Sequence, residues 1–258
     1  MEDDGFTLNW SRKNKNRKAG ELKNFYDGEK RPDVNKVQIE EVINWAKKFC
    51  DYYKLQILEA LSKCHNSGKI TQIQVYGVGG IDSKTSSGSL QLAVALELQN
   101  ALKNEYPVIS MTVQEPIFVP GEIAYLKSNG INVVEEVEFS NVLFKEATRS
   151  SNLPKEEALL LCYMIHGEWS MFDSFLKAHW TVDELSRIII VGNSIDSLDV
   201  HPYYETISKR IKDFAKVCQQ IPLQTKKEGL ERNSFALTSI IWAKKEDLEL
   251  HARELGLG

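Results

Sequence analysis

The segment Ala158-Leu-Leu-Leu-Cys-Tyr-Met-Ile runs through eight residues without a charge or a turn former. A strand with one wetted face alternates apolar and polar residues, whereas a run of this kind has to be covered on both faces. It therefore reads as the central strand of a sheet sandwiched between helices. Shorter runs of the same character surround it. In chain order they are Gln72-Ile-Gln-Val-Tyr-Gly-Val, Val108-Ile-Ser-Met-Thr-Val, Ile131-Asn-Val-Val, then the central run, Arg187-Ile-Ile-Ile-Val-Gly, and Ser234-Phe-Ala-Leu-Thr-Ser-Ile-Ile-Trp-Ala. Segments with helical spacing separate them. Strands alternating with helices predict an α/β, Rossmann-like domain: a mostly parallel sheet with helices on both faces and right-handed crossovers.

The helical segments are legible from three- and four-residue steps. Val42, Trp45, Ala46, Phe49, Tyr52, Tyr53, Leu58 and Leu61 predict one amphipathic helix over 37–64, stopped by Asn66 and Gly68. Leu90, Val94, Leu98 and Leu102 predict another after the first strand. Proline starts and glycine ends a short helix over 120–128. Further helices are expected over 171–180 and 203–221. The stretch 135–155 is poorly periodic and reads as containing a surface loop.

Size and charge narrow the function classes. A chain of 258 residues with 42% hydrophobic content buries a core without disulfides or metals. Its 32 basic and 36 acidic residues leave a net charge of -4, unlike a dedicated nucleic-acid binder. Cys50, Cys64, Cys162 and Cys218 form no C-x-x-C pair and are expected to be reduced, buried thiols. The acidic N-terminus is not a signal peptide, and no apolar run is long enough to span a bilayer, so a soluble protein of the cytoplasm and nucleus is expected. Residues 1–35 are polar and hold a basic cluster from Arg12 to Lys18, which predicts a flexible arm before a domain over 36–258. The arm is a solubilising tail, or a nuclear-import or RNA-contacting segment.

In an open parallel sheet, ligands bind outside the carboxyl ends of the strands, where strand order reverses. That rule selects Gly77, Gly79 and Gly80 after the first strand, Glu115 after the second, His166 after the fourth, and Asn193 with Ser194 after the fifth. The glycines form either a backbone cradle for a phosphate or a tight turn. Lys84-Thr85 fails as a Walker motif, because Ser83 and Val78 stand where glycines are needed. Glu115 is either an acid for a ribose hydroxyl or a helix cap. His166, with Glu168 two residues on, is the best candidate for proton transfer. No second histidine lies at metal spacing, His179 and His201 being remote, and no metal site is expected. Asn193 and Ser194 either contact a ligand or cap the next segment.

At these same positions the sequence resembles the sensitivity-to-red-light-reduced domain family, over roughly residues 45–244. The match is carried by Tyr76-Gly-Val-Gly79, Ser89-Leu-Gln-Leu-Ala93, Glu115-Pro-Ile-Phe-Val-Pro-Gly-Glu122, Leu126-Lys-Ser-Asn-Gly130, Met164-Ile-His166, Leu176-Lys-Ala-His-Trp180 and Ile190-Val-Gly-Asn-Ser194. The N-terminal Asp4-Gly-Phe-Thr, with the basic run behind it, also looks like the family's opening. The chain departs from the family pattern at Glu115, Ile165, Gly167 and His179, where Asp, Pro, Cys and Asn are usual. Gly77, Gly79, Gln91, His166, Trp180, Gly192, Asn193 and Ser194 stay intact.

The resemblance implies a regulatory protein with a protein partner or a small ligand at the strand ends. Family members are associated with circadian and light-dependent regulation in plants, regulation of haem biosynthesis in animals and microtubule stability in fungi. Two other readings stand beside it. One is an enzyme using a nucleoside-containing cofactor such as S-adenosylmethionine, as in methyltransferases. The other is haem binding through His166 with Cys162 assisting. The sequence itself assigns no cofactor.

Overall fold

A computed structural model describes residues 31–64, 68–104, 106, 109–136, 138–198, 204–226 and 228–257. Of the arm expected over 1–35, residues 1–30, with the basic cluster and the Asp4 motif, lie outside the described residues, as does His201, while Asp33 accepts from Gly121 N–H and Asn35 caps the first helix. Seven strands form one sheet: β1 (Lys69–Tyr76), β2 (Ser110–Gln114), β3 (Asn132–Val133), β4 (Ala158–Met164), β5 (Ile188–Asn193), β6 (Cys218–Pro222) and β7 (Thr238–Ala243). They lie in the order β3-β2-β1-β4-β5-β7-β6. The first five are parallel, and β7 runs antiparallel between β5 and β6. The chain builds outward from β1 to β3, then returns to add β4 and β5 on the other side. Strand order therefore reverses between β1 and β4, which is where a ligand crevice is expected.

The central run is explained by its two neighbours in depth. Leu159, Leu161, Tyr163 and Ile165 enter one core, and Leu160, Cys162 and Met164 enter the other. The first core is closed by α1 (Lys36–Ala46), α2 (Asp51–Cys64), α3 (Ser87–Lys103), α4 (Pro120–Ser128) and α9 (Gly229–Phe235). The second is closed by α5 (Val142–Ser150), α6 (Trp169–Ala178), α7 (Val182–Leu185), α8 (Lys209–Val217) and α10 (Lys245–Leu255). Helices on both faces and a mostly parallel sheet agree with the sequence reading.

The single helix expected over 37–64 is two helices joined by a 3₁₀ turn at Lys47–Phe49. The buried stripe is Ile39, Ile43, Ala46, Cys50, Tyr53, Ile57, Ala60 and Cys64, with steps alternating four and three. Such a 3.5-residue repeat drifts by about 20° per heptad on a regular α-helix, roughly 70° over this length. A 3₁₀ turn advances three residues per turn instead of 3.6, and its three residues supply about 60° of extra rotation. The break keeps one stripe on the sheet.

Three further expectations change. Residues within 135–155 hold α5 as well as the expected loop segments on either side of it, and Phe144 is the one buried residue of α5. The helix expected over 203–221 ends at Val217, and Cys218–Pro222 is the edge strand β6. Little in its composition favours a strand; pairing of Gln219 with Trp242 and Ile221 with Ile240 imposes it. The sixth expected strand begins at Thr238, since 229–235 is helical. Helix α3 is also more than amphipathic, being buried continuously from Gly88 to Leu96 between the sheet and its covering helices.

Candidate functional site

The loop after β1 turns on two left-handed glycines, Gly77 (φ 64°) and Gly79 (φ 73°). Gly77 N–H extends the ladder to the Gln114 carbonyl at 3.2 Å. The next donors meet carboxylates. Gly79 N–H donates to Glu115 Oε2 at 2.7 Å, and Ile81 N–H donates to Glu122 Oε1 at 2.6 Å. The other oxygens of the two acids accept from Ile117 at 3.1 Å and Val119 at 2.9 Å. Glu115 is 8% exposed and Glu122 fully buried. Charge-assisted bonds of this kind tie the first loop to the β2–α4 connection.

Helix α3 closes the loop from behind. Ser86 caps α3, accepting from Gly88 N–H at 3.2 Å, and donates to the Gly80 carbonyl at 2.5 Å. A β-carbon at position 88 would stand 2.2 Å from the Val78 carbonyl oxygen, so only glycine permits this approach. A phosphate cradle needs amides aimed at open space. Here the amides of Gly77, Gly79 and Ile81 are bonded to the protein, and carboxylate and carbonyl oxygens crowd the turn. Those three amides are therefore not offered to a phosphate.

Across the reversal, His166 follows β4 in a left-handed conformation (φ 59°), uncommon for a residue with a side chain. Asn193, the last residue of β5, holds it there: its Oδ1 accepts from His166 N–H at 3.0 Å and its Nδ2 donates to the Gly167 carbonyl at 2.7 Å. His166 Nε2 lies 3.0 Å from the Ala236 carbonyl. A carbonyl can only accept, so Nε2 carries the proton and Nδ1 of the neutral ring is an acceptor. Leu237, next to Ala236, is left-handed too (φ 52°) and 73% exposed. Its carbonyl accepts from Ser194 N–H at 2.7 Å. Ser194 stands at the start of a 3₁₀ turn without capping it; its hydroxyl donates to Gln220 Oε1 at 3.2 Å, and Ile195 N–H donates to the same oxygen at 3.0 Å.

Four of the residues selected from the sequence thus fall into pairs, Gly79 with Glu115 and His166 with Asn193, while Ser194 is held by Gln220. Others lie elsewhere. Gln91 is buried and donates to the Ser234 carbonyl at 2.8 Å, joining α3 to α9. Trp180 follows α6, at the opposite end of the strands, and donates to the Leu255 carbonyl at 3.1 Å. Glu168 accepts from Ser170, not from His166. Cys162 is fully buried in the second core and its thiol is pushed far up by that burial, so it is no partner for an exposed His166. Burial also pushes Cys50, Cys64 and Cys218 up to about 12, which keeps them thiols.

Glu122, Gln220 and Met171 escaped sequence reasoning. Glu122 carried a signal, since an acid at the third position of a proline-started helix belongs to a capping box. Gln220 carried none. Met171, in the first turn of α6, lies against both glycine loops. Among the described residues no cluster of His, Cys, Asp or Glu is arranged to hold a metal, and no helix is long and apolar enough to cross a membrane. A cleft of about 190 Å³ opens at the ends of β2 and β3, with Glu115, Phe118 and Glu135 in its wall. A larger one, about 460 Å³, lies at the amino ends of β1 and β2, away from the reversal.

Comparison with known proteins bears on this geometry. The SRR1 domain family profile matches residues 56–242. Protein SENSITIVITY TO RED LIGHT REDUCED 1 of Arabidopsis thaliana is 27% identical over 169 residues, 62% of this chain and 55% of that protein. The SRR1-like protein of Mus musculus is 26% identical over 142 residues, 55% of this chain and 53% of that one. The chain therefore spans about half the length of these curated relatives. Among solved structures, the plantazolicin methyltransferase BpumL in complex with SAH aligns with a TM-score of 0.29 and 11% identity, over 80% of this chain and 84% of that one.

Proposed function

This chain belongs to the SRR1 domain family, and from that premise we propose that it is a regulatory protein whose strand-end crevice binds a small, phosphate-free nucleoside-type ligand. Gly77, Gly79, Glu115, His166, Asn193 and Ser194 form the ligand site in this reading, and the bound state is passed to a protein partner in the cytoplasm or nucleus. The observation that carries it is the Glu115–Gly79 contact beside the β1/β4 reversal. Glu115 directly follows β2, the strand end at which such sheets carry a ribose-binding acid, and it occupies the Gly79 amide that a phosphate would need.

The test is a thermal-shift screen of the full chain. A ligand at a hundred times its dissociation constant adds about 2.7 kcal/mol of stability. Adenosine, S-adenosylmethionine and S-adenosylhomocysteine are expected to raise the melting temperature, whereas AMP and NAD are not. Silence from all five removes the reading. A response to the phosphorylated compounds alone removes its phosphate-free clause.

A second reading, a nucleoside-cofactor enzyme of methyltransferase type, is favoured by one observation. The Ala236 bond leaves His166 Nδ1 as an acceptor on an exposed side chain. In this reading His166→Ala removes turnover of a methyl acceptor and leaves binding of the adenosyl compound intact. Loss of both together counts against a proton-transfer role.

A further inference from the structure

Met171 stands in the first turn of α6, directly after the loop that leaves β4. A β-carbon at position 77 would lie 2.7 Å from Met171 Cε, and one at position 167 would lie 2.8 Å from the same atom. A single methyl group therefore abuts the backbone of both loops that flank the strand reversal. Met164, the last residue of β4, closes the far side, with Cγ at 2.7 Å and Sδ at 3.2 Å from the β-carbon position of residue 167. The crevice that the topology opens between β1 and β4 is filled by a thioether.

We propose that Met171 is a displaceable plug: its side chain occupies the subsite in which the flat or apolar part of a ligand lies, and binding swings it outward. The inference rests on the ligand reading above. Three features support it. Met171 is only partly buried, so its side chain has a route to solvent. Methionine is unbranched, with three rotatable bonds, and leaves a packed position more easily than a β-branched or aromatic residue. Met171 also packs against the second core, and neither that core, the glycine backbone nor the Met164 thioether carries a charge, so a heteroaromatic ring replaces it on similar terms. The glycines at 77 and 167 then have a common purpose, because a side chain at either position would collide with the plug.

The chain contains four methionines, Met1, Met111, Met164 and Met171, which makes methyl-labelled NMR of the intact protein tractable. S-adenosylhomocysteine is the probe. In the wild-type protein its addition is expected to move the Met171 methyl resonance toward a solvent-exposed value, while Met111, on β2, stays in place. Where the displaced conformer is about a tenth of the free population, Met171→Ala tightens the dissociation constant by about tenfold, since the cost of clearing the site is removed. Binding with an unmoved Met171 resonance overturns the plug and leaves the ligand site standing. No binding of S-adenosylhomocysteine by either protein overturns the plug, while the adenosine and S-adenosylmethionine arms of the thermal-shift screen decide separately whether the ligand site stands. Because the NMR arm uses wild-type protein, it decides the question even if the alanine variant fails to fold.

Discussion

The two ends of β5 are held by opposite kinds of chemistry. At its amino end Arg187, 4% exposed, donates to the Ala158 carbonyl at 3.1 Å, to the Asp183 carbonyl at 3.1 Å and to the Asp183 carboxylate at 3.1 Å, and lies 4.6 Å over the Phe144 ring. Beside it, His179 and Glu184 form a buried pair at 3.0 Å, with Asn141 and Lys145 on the same carboxylate. At its carboxyl end Asn193 spends a neutral amide on holding His166 in a left-handed turn, and Leu237 nearby is left-handed as well. Buried ion pairing marks the scaffold end. Side chains that grip left-handed backbone mark the other end, where the proposed ligand site lies.

The largest expected effect breaks the grip on the first loop. Glu122→Ala leaves the Ile81 and Val119 amides without their acceptor in a fully buried place. At about 1–3 kcal/mol for each buried unsatisfied group, urea unfolding should register a loss of roughly 3 kcal/mol or more. A loss below about 1 kcal/mol would mean that the carboxylate does not hold the loop. Glu122→Gln, which retains one acceptor oxygen, should lose less.

A smaller loss is expected at the scaffold end as pH falls. Burial acts to raise the Glu184 pKa, but hydrogen bonds from His179 and Asn141 and the nearby Lys145 charge outweigh it and hold the carboxyl below its ordinary 4.5. A folded-state pKa below the unfolded value contributes stability that is full above about pH 4.5 and is lost as pH drops toward the folded value. Asp183, held down by Lys155 and Arg187 against its own burial, works in the same direction. Below pH 4.5, hydrogen exchange should therefore rise first in α5 to α7, and Glu184→Gln should flatten that dependence. Exchange that rises first at residues 77–81 would reverse the assignment of the two ends.

The smallest effect has the opposite sign. Leu237→Gly gives up little packing, because the side chain is 73% exposed, and relieves a left-handed residue. Strain of this kind costs about 1–3 kcal/mol, and glycine's extra unfolded-state freedom takes back up to about 1. A net gain of about 0.5 kcal/mol in unfolding free energy, read as a raised urea midpoint, is expected. A net loss would show that Leu237 is packed to better effect than its exposure indicates.

Much of the frame was written in local pattern. The run 158–165, the proline at 120 and the glycine at 130 carry their structural meaning in their immediate neighbours, because burial on two faces, helix starts and left-handed stops are local requirements. The same holds for the strand ends at Gly77, Glu115, His166 and Asn193, which follow from where apolar runs stop. Edge strand β6 was illegible: Cys218-Gln-Gln-Ile-Pro is extended because β7 offers it a ladder. The split of the first helix was hidden in a 3.5-residue repeat whose consequence appears only when the stripe must stay on a flat partner.

What the sequence determined by itself is the alternation that forces an α/β sheet, and hence the strand ends at which the ligand site is proposed. What only the tertiary structure decided is the use of each side chain there. Glu115 and Glu122 hold backbone amides, Gln91 and Trp180 brace helices, and a methionine of α6 lies against the backbone at Gly77 and Gly167. The reason is range. Periodicity records each residue's relation to water, whereas the partner of a hydrogen bond or the occupant of a crevice is chosen by segments far along the chain that meet only on folding.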